Sequence, residues 1–396
     1  MKLRPGSPAE AGMFPEQVER TRDLCAGWVK SGHTPTLGVC AARRGVVVLH
    51  EAFGQARPDG TPLGLDAIFP VASVSKSVTA VLVMQQVESG LLGLNRTVRD
   101  YLPEISEDGT EDMLVHHLLT HTTGYPWHTD PSMLLHAAEK LKQGIEFPPC
   151  PDNQDPENHR LLTLFWDVPR EHPVGKMMTY SNHNYLLLGE ILRRLSGKSL
   201  DDLARERLFD PLGMNDSFYS VPDSEAHRYV IRPPEATLAE PDLVFEGMNS
   251  DVWRKSSNPG GGLCTSPRDM TAFGQMILNG GSYGNERVLS PTSVAAMTRD
   301  QIPGLDANIL GHRIPRASWG YGFAVESPTK WRRFRGSLIS LGSVTHPGAG
   351  GASFWIDLER ELVGAYFEVC MDMTEDWEFL WNYDLFENSI TAAVDC

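Results

Sequence analysis

Phe69-Pro-Val-Ala-Ser-Val-Ser-Lys-Ser-Val-Thr-Ala80 is the stretch whose reading decides the rest of the chain. It sets a hydroxyl, Ser73, and an amine, Lys76, three residues apart where an apolar helix begins. Side chains at i and i+3 share a helix face. A serine hydroxyl is a poor nucleophile until a neighbour takes its proton, and a lysine can do so only as the neutral amine. Positive potential at the helix N-terminus and partial burial both disfavour the ammonium. The same N-terminus supplies backbone N–H groups for an oxyanion. Alone, an S-x-x-K is a common chance pattern on an exposed helix.

Two later segments change its meaning. Tyr180-Ser-Asn182 and His346-Pro-Gly348 follow in that order. The sequence S-x-x-K, Y-x-N and a K-T-G-like triplet marks serine enzymes that recognise penicillins. Matching flanks are Leu118-Leu-Thr-His-Thr-Thr-Gly124, Tyr180-Ser-Asn-His-Asn-Tyr-Leu-Leu-Leu-Gly189, Pro211-Leu-Gly-Met214 and Gly260-Gly-Gly-Leu-Cys-Thr-Ser-Pro-Arg-Asp-Met270. From about Gly38 to about Phe367 the chain resembles the class C β-lactamase-like serine hydrolase superfamily. That group contains class C β-lactamases, family VIII carboxylesterases, D-aminopeptidases, penicillin-binding-protein-like D,D-carboxypeptidases and some acyltransferases. The resemblance implies an α+β, β-lactamase/transpeptidase-like fold: an antiparallel sheet flanked by terminal helices, with an inserted, mostly helical domain and a catalytic cleft between them. It implies no metal and no cofactor.

Segment by segment, the pattern predicts a helix over 15–30, a hairpin of strands 36–41 and 46–53, and helices over 184–197 and 267–279. Strands are expected at 319–326, 338–344, 353–356 and 362–369, with a closing helix over 376–394. Both chain ends then belong to one discontinuous sheet domain, 1–75 with 260–396, and 76–259 forms the helical domain. Segments 125–178 and 221–259 read as long irregular walls or lids of the cleft. Tyr125, Trp127 and Trp253 in them are candidates for an acyl or leaving-group pocket, against the plain alternative of aromatics that pack their own loops.

The roles follow from the chemistry. Ser73 is the expected nucleophile. Lys76 is the first candidate base and Tyr180 the second, since a phenol beside a lysine ammonium has its pKa lowered. Tyr180 also serves to pass a proton to the leaving group. Asn182 is expected to hydrogen-bond Lys76 or a substrate amide. In the third motif His346 replaces the usual lysine and is neutral near pH 7 by default. Pro347 offers neither hydroxyl nor N–H, so the charged grip on a substrate carboxylate is lost. Gly348 keeps the close approach that a substrate needs. By family geometry the N–H groups of Ser73 and Ala349 form the oxyanion hole. Lys330, Arg332, Arg333 and Arg335 are a conceivable replacement cation, though a solvated mixed-charge loop is the simpler reading.

These features point to a carboxylesterase working through an acyl-enzyme on a small-molecule ester, with weak activity on β-lactams or amides compatible with it. A D-amino-acid peptidase, amidase or acyltransferase is the alternative within the same fold, and a non-catalytic scaffold the alternative outside it. Composition adds limits. The chain has 396 residues and a net charge of −16, which argues against nucleic acid or anionic membrane as a partner. Six scattered cysteines show no metal spacing and read as free thiols, and with no apolar leader at Met1–Pro8 the expected compartment is cytoplasmic. Gly280-Gly-Ser-Tyr-Gly284 imitates a nucleophile elbow but follows a helix, so Ser282 reads as a turn residue. His116, His117 and His121 lack H-E-x-x-H and read as structural or surface histidines.

Overall fold

A computed structural model describes residues 1–396 apart from 128–129, 235, 237–246, 310, 330–334, 372–380 and 396. Among the described residues the largest sheet has seven strands. Their spatial order is Arg4–Pro5, Val46–Gly54, Thr36–Arg43, Leu362–Glu368, Ala352–Asp357, Val344–Gly348 and Ala324–Val325. The first pair is parallel and every other pair antiparallel.

Every residue of the Thr36–Arg43 strand is buried, because helices cover both faces of the sheet. Alternation sorts the side chains. Leu37, Val39 and Ala41 join Trp28 of the Pro15–Lys30 helix and Phe386 and Ile390 of the Trp381–Thr391 helix in one core. Cys40 and Ala42 join Phe273, Met276 and Ile277 of the Pro267–Leu278 helix in another. The neighbouring strand repeats the pattern, with Trp355 towards the terminal helices and Phe354 and Ile356 away from them. The second core continues through Val78, Val81 and Leu82 to Leu186, Leu187 and Ile191. The Ser75–Glu88 helix is therefore buried nearly all round, which explains its apolar run Ala80-Val-Leu-Val-Met84. It packs against the Asn182–Ser196 helix.

Several local expectations change. The segment 125–178 contains two helices, Pro131–Lys142 and Pro156–Phe165. Each begins with Asp-Pro, and Asp130 and Asp155 cap them by accepting backbone N–H groups; aspartate at the cap and proline in the first turn are helix-start signals. Segment 221–259 holds the 3-10 helix Asp223–Arg228 and the helix Asp251–Lys255. The expected strand 338–344 is instead loop as far as Val344, since Ser343 N–H turns back to Ser340 O and Gly342 N–H to Glu326 O. The expected strand 319–326 shrinks to Ala324–Val325. The closing helix is described from Trp381. Cys25, Cys40, Cys150, Cys264 and Cys370 are free thiols. Among the described residues no helix is long and apolar enough to cross a membrane, and no group of three or more His, Cys, Asp or Glu could hold a metal ion.

Candidate active site

Ser73 is delivered by a short, firmly held approach. Phe69–Pro70 pairs with Cys264–Thr265, and Val71 N–H donates to Leu263 O at 3.1 Å. Ala72 then takes a left-handed φ of 43°, an unfavourable value for a residue with a Cβ, and Ser75 Oγ donates to Ala72 O at 2.5 Å. Strain of this kind persists only where the surroundings fix it. It leaves Ser73 partly exposed at the start of a helix whose next residues are buried.

Lys76 Nζ lies 3.0 Å from Ser73 Oγ and donates to Gly260 O at 2.7 Å. Its side chain is fully buried, and burial pushes its pKa well below 10.5. The nitrogen sits 4.9 Å from the Tyr180 ring centre and 5.6 Å from that of Tyr185. Tyr180 completes the cluster through a side-chain hydrogen bond with Ser73. Hydroxyl, amine and phenol, 107 residues apart at the extremes, therefore meet.

The expected depression of the Tyr180 pKa is not found. Burial dominates and raises it, and only the Ser73 hydrogen bond pulls the other way. The physical reason is that the buried phenolate would lose its hydration, and that cost outweighs the pull of its neighbours. The pair thus favours a neutral acceptor at Lys76 and a protonated donor at Tyr180.

The strand Val344–Gly348 forms the opposite wall. Thr345 Oγ1 meets Tyr383 Oη at 3.1 Å on the terminal-helix side, so alternation turns His346 and Gly348 towards Ser73. A Cβ on Gly348 would lie 2.1 Å from Val71 O and 3.3 Å from Ser73 N. Only glycine permits this approach of the strand to the Val71–Ser73 backbone. His346 Nδ1–H donates to Pro347 O at 2.7 Å, which leaves Nε2 as the bare acceptor. Burial first, then the charge of Lys76, pushes the imidazole pKa down to about 3. His346 is neutral, as its sequence position suggested, and for a stronger reason than its ordinary pKa.

The other candidates divide. Trp127 is half-buried, with its ring 5.2 Å from that of Tyr180. Tyr125 is buried edge-on against His183 at 4.7 Å. Trp253 stands on the Asp251–Lys255 helix. Asn182 is the first residue of the Asn182–Ser196 helix, and the hydrogen bonds of Lys76 go to Ser73 and Gly260 instead. Arg335 is 8% exposed and paired with Glu326 at 3.2 Å, so it is no free cation; Lys330, Arg332 and Arg333 lie outside the described residues.

Three contributors escaped the sequence. His121 is structural, as one half of its sequence reading had it, but it is fully buried and lies against the site. Its carbonyl accepts Thr179 N–H at 2.9 Å, its Nδ1 accepts Ser181 N–H at 3.2 Å, and its ring stacks on Tyr180 at 4.4 Å. It brackets the phenol on both sides. The only available signal was its place in Leu118-Leu-Thr-His-Thr-Thr-Gly124. Trp319 packs 5.9 Å from Tyr180 and 5.5 Å from His346. Gly260 acts through its carbonyl, which no residue-type pattern reveals.

Comparison with known proteins comes to the same architecture. The family profile described as Beta-lactamase matches residues 18–384. The chain is 31% identical over 329 residues to penicillin-binding protein 4 of Amycolatopsis lactamdurans, covering 78% of this chain and 79% of that protein. A penicillin-binding protein homologue from Caulobacter crescentus superposes with a TM-score of 0.74 at 20% identity, covering 97% of this chain and 99% of the other. A family VIII carboxylesterase does so at 0.72 and 22%, covering 95% and 98%. At those identities the two structures establish the fold alone.

Proposed function

This chain belongs to the Beta-lactamase family, and from that premise we propose that it is a serine hydrolase that forms an acyl-enzyme on Ser73, with carboxylic esters of modest acyl size as its substrates. The observation that carries the reading is the buried Lys76 amine, biased towards neutrality, 3.0 Å from Ser73 Oγ. In the reading, Ser73 Oγ attacks the acyl carbon and its proton passes to the Lys76 lone pair. The N–H groups of Ser73 and Ala349 receive the oxyanion. Tyr180, kept protonated by burial, passes its proton to the departing alkoxide and is reprotonated from Lys76. Water then enters, the same groups remove its proton, and the acid leaves.

The ester preference rests on the third motif. A neutral His346 and a proline give no charge-assisted hold on a carboxylate, and the wall they share with Trp319 and Trp127 is aromatic. The reading is tested with p-nitrophenyl acetate and butyrate and with intact-mass detection of the adduct. Ser73→Ala is expected to lose at least about 10³-fold in kcat. An inert wild type, or undiminished turnover in Ser73→Ala, rejects it. A second reading, a D-amino-acid peptidase or amidase, is favoured by the 22% identity over 379 residues to a Salmonella protein named putative D-alanyl-D-alanine carboxypeptidase. A panel of D-amino-acid amides separates the two. Adducts that form but are released only to an added alcohol or amine would identify an acyltransferase, and failure of any probe to label Ser73 would identify a scaffold.

A further inference from the structure

The loop that presents Gly260 to Lys76 is gripped from two sides. From the Ser75–Glu88 helix, Thr79 Oγ1 donates to Pro259 O at 2.7 Å, and Ser75 Oγ accepts Leu263 N–H at 2.9 Å. The opposite grip comes from the start of the Pro156–Phe165 helix, far away in sequence. One Asp155 carboxylate oxygen accepts Asn158 N–H at 2.9 Å, which caps that helix. The other oxygen accepts Ser257 N–H at 3.1 Å. Asn158 Nδ2 donates to Ser257 O at 2.9 Å. Both backbone polar groups of Ser257 are thus taken by two side chains. Asn258 Oδ1 accepts Gly260 N–H at 2.8 Å and carries the restraint onward. Gly262 completes the tight path, since a Cβ there would meet Ser256 O at 2.3 Å.

Close packing does only part of this work: the Pro259 ring sits on Gly189, where a Cβ would meet it at 2.5 Å. A cavity of about 40 Å³ lies against the junction, lined by Asp155, Asn158, Gly189, Ser257 and Pro259 among others. Where atoms do not fill the space, directional bonds decide where the loop sits. The consequence reaches Lys76. A neutral amine has two N–H groups and one lone pair. Committing one N–H to Gly260 O limits its rotation and holds the lone pair towards Ser73.

We propose that Asp155 and Asn158 are positioning residues for Lys76: by fixing Ser257 they fix the Gly260 carbonyl, and through it the direction of the amine. The inference rests on the reading of Lys76 as the base. Neither residue touches Ser73, Tyr180 or the His346 wall.

Two substitutions test it. Asp155→Ser keeps a good helix cap but has one oxygen and cannot hold Ser257 as well. Asn158→Ala frees Ser257 O and leaves the cap acceptor intact. Each is expected to lower kcat about 10- to 100-fold, the effect of a shift near 1 Å in a reacting group, with KM and Tm near wild type. The double variant should be little worse than the more damaged single one, because both act through Ser257. The acid limb of kcat/KM should also move to higher pH, since a loosened loop admits water and relieves the burial that holds Lys76 down. The titratable groups facing Lys76 are Tyr180, Tyr185, His121 and His346. Both phenols are pushed up and both imidazoles down, so the limb belongs to the amine. Wild-type kcat and an unmoved limb in both variants overturn the proposal. A fall in kcat with an unmoved limb, or one that only follows a lowered Tm in Asn158→Ala, assigns a structural role and overturns it too. Activity surviving in Ser73→Ala would instead sink the underlying reading, whereas an inactive Ser73→Ala beside unimpaired Asp155→Ser and Asn158→Ala would sink the clamp alone.

Discussion

Gly348→Ala isolates the oxyanion geometry better than any change at the reacting side chains. A methyl group there would sit 2.1 Å from Val71 O and 3.1 Å from Val71 C. Side-chain Cβ atoms do not come closer than 3.0 Å, so the gap must widen by 0.9 Å (3.0 − 2.1). Neither side yields easily, since both contacts are backbone. The strand is bonded along its length to Ala352–Asp357, and Val71 is tied to Leu263 O. Widening drives the Ala349 N–H away from the Ser73 N–H. A donor that would lie about 2.9 Å from an oxyanion retreats towards about 3.8 Å, beyond a hydrogen bond. Loss of one such donor lowers kcat about 10²- to 10³-fold, while KM stays near wild type. Overpacking should also lower stability by about 1–3 kcal/mol. The assay is steady-state hydrolysis of p-nitrophenyl butyrate beside a thermal melt. A folded Gly348→Ala variant whose kcat stays within about threefold of wild type, less than 1 kcal/mol in the barrier, would show that these two N–H groups do not hold the transition state.

Lys76→Arg places a permanently protonated group where a base is required, so activity should fall to the level of Ser73→Ala. The wild-type profile should rise through the depressed Lys76 pKa with no separate limb near 6.5, because His346 titrates at about 3; a rate still climbing at about pH 10, the ordinary lysine value, would contradict this. His346→Lys should shift the kcat/KM ratio about tenfold in favour of acyl groups that bear a carboxylate over neutral isosteres, and an unchanged ratio would remove His346 from substrate selection. Glu387 is buried, accepts the Gly336 N–H, and is raised from 4.5 to about 8 by burial. The native state therefore keeps a proton that the unfolded chain releases. Its stabilising contribution is full below about pH 4.5 and is lost as pH rises towards 8. Glu387→Gln should flatten that decline in urea midpoints taken at acid and mildly alkaline pH, and an equally steep decline in the variant would refute the assignment.

The reacting groups were legible because their chemistry dictates residue type and local spacing. Ser73 and Lys76 lie on one helical turn, and Tyr180 precedes a helix start that any reader would mark. The supporting groups were not legible, because they act through backbone atoms or over long separations. Gly260 contributes a carbonyl that every residue possesses. Trp319 sits in what reads as strand, yet it lies outside Ala324–Val325 and its ring packs on Tyr180 and His346. His121 was set aside with His116 and His117 for want of a metal-binding spacing, although its own carbonyl and Nδ1 hold the residues on either side of Tyr180. The helices hidden in 125–178 left a usable trace: Asp130-Pro and Asp155-Pro are start signals, overridden by the density of prolines after Phe147. The direction of the Tyr180 pKa was misjudged because pairwise charge was weighed without desolvation, which only packing reveals.

The apolar cluster that runs unbroken from Phe354 and Ile356 through Val81 to Leu187 and Ile191 has a consequence for engineering. No scission line separates a sheet part that would stay dry from a helical part that would stay folded. A chimaera that borrows the helical region from a cousin must transplant both sides of that seam together. Selectivity is therefore more safely retuned by grafting the rim around Trp127 and Trp319 than by exchanging whole halves.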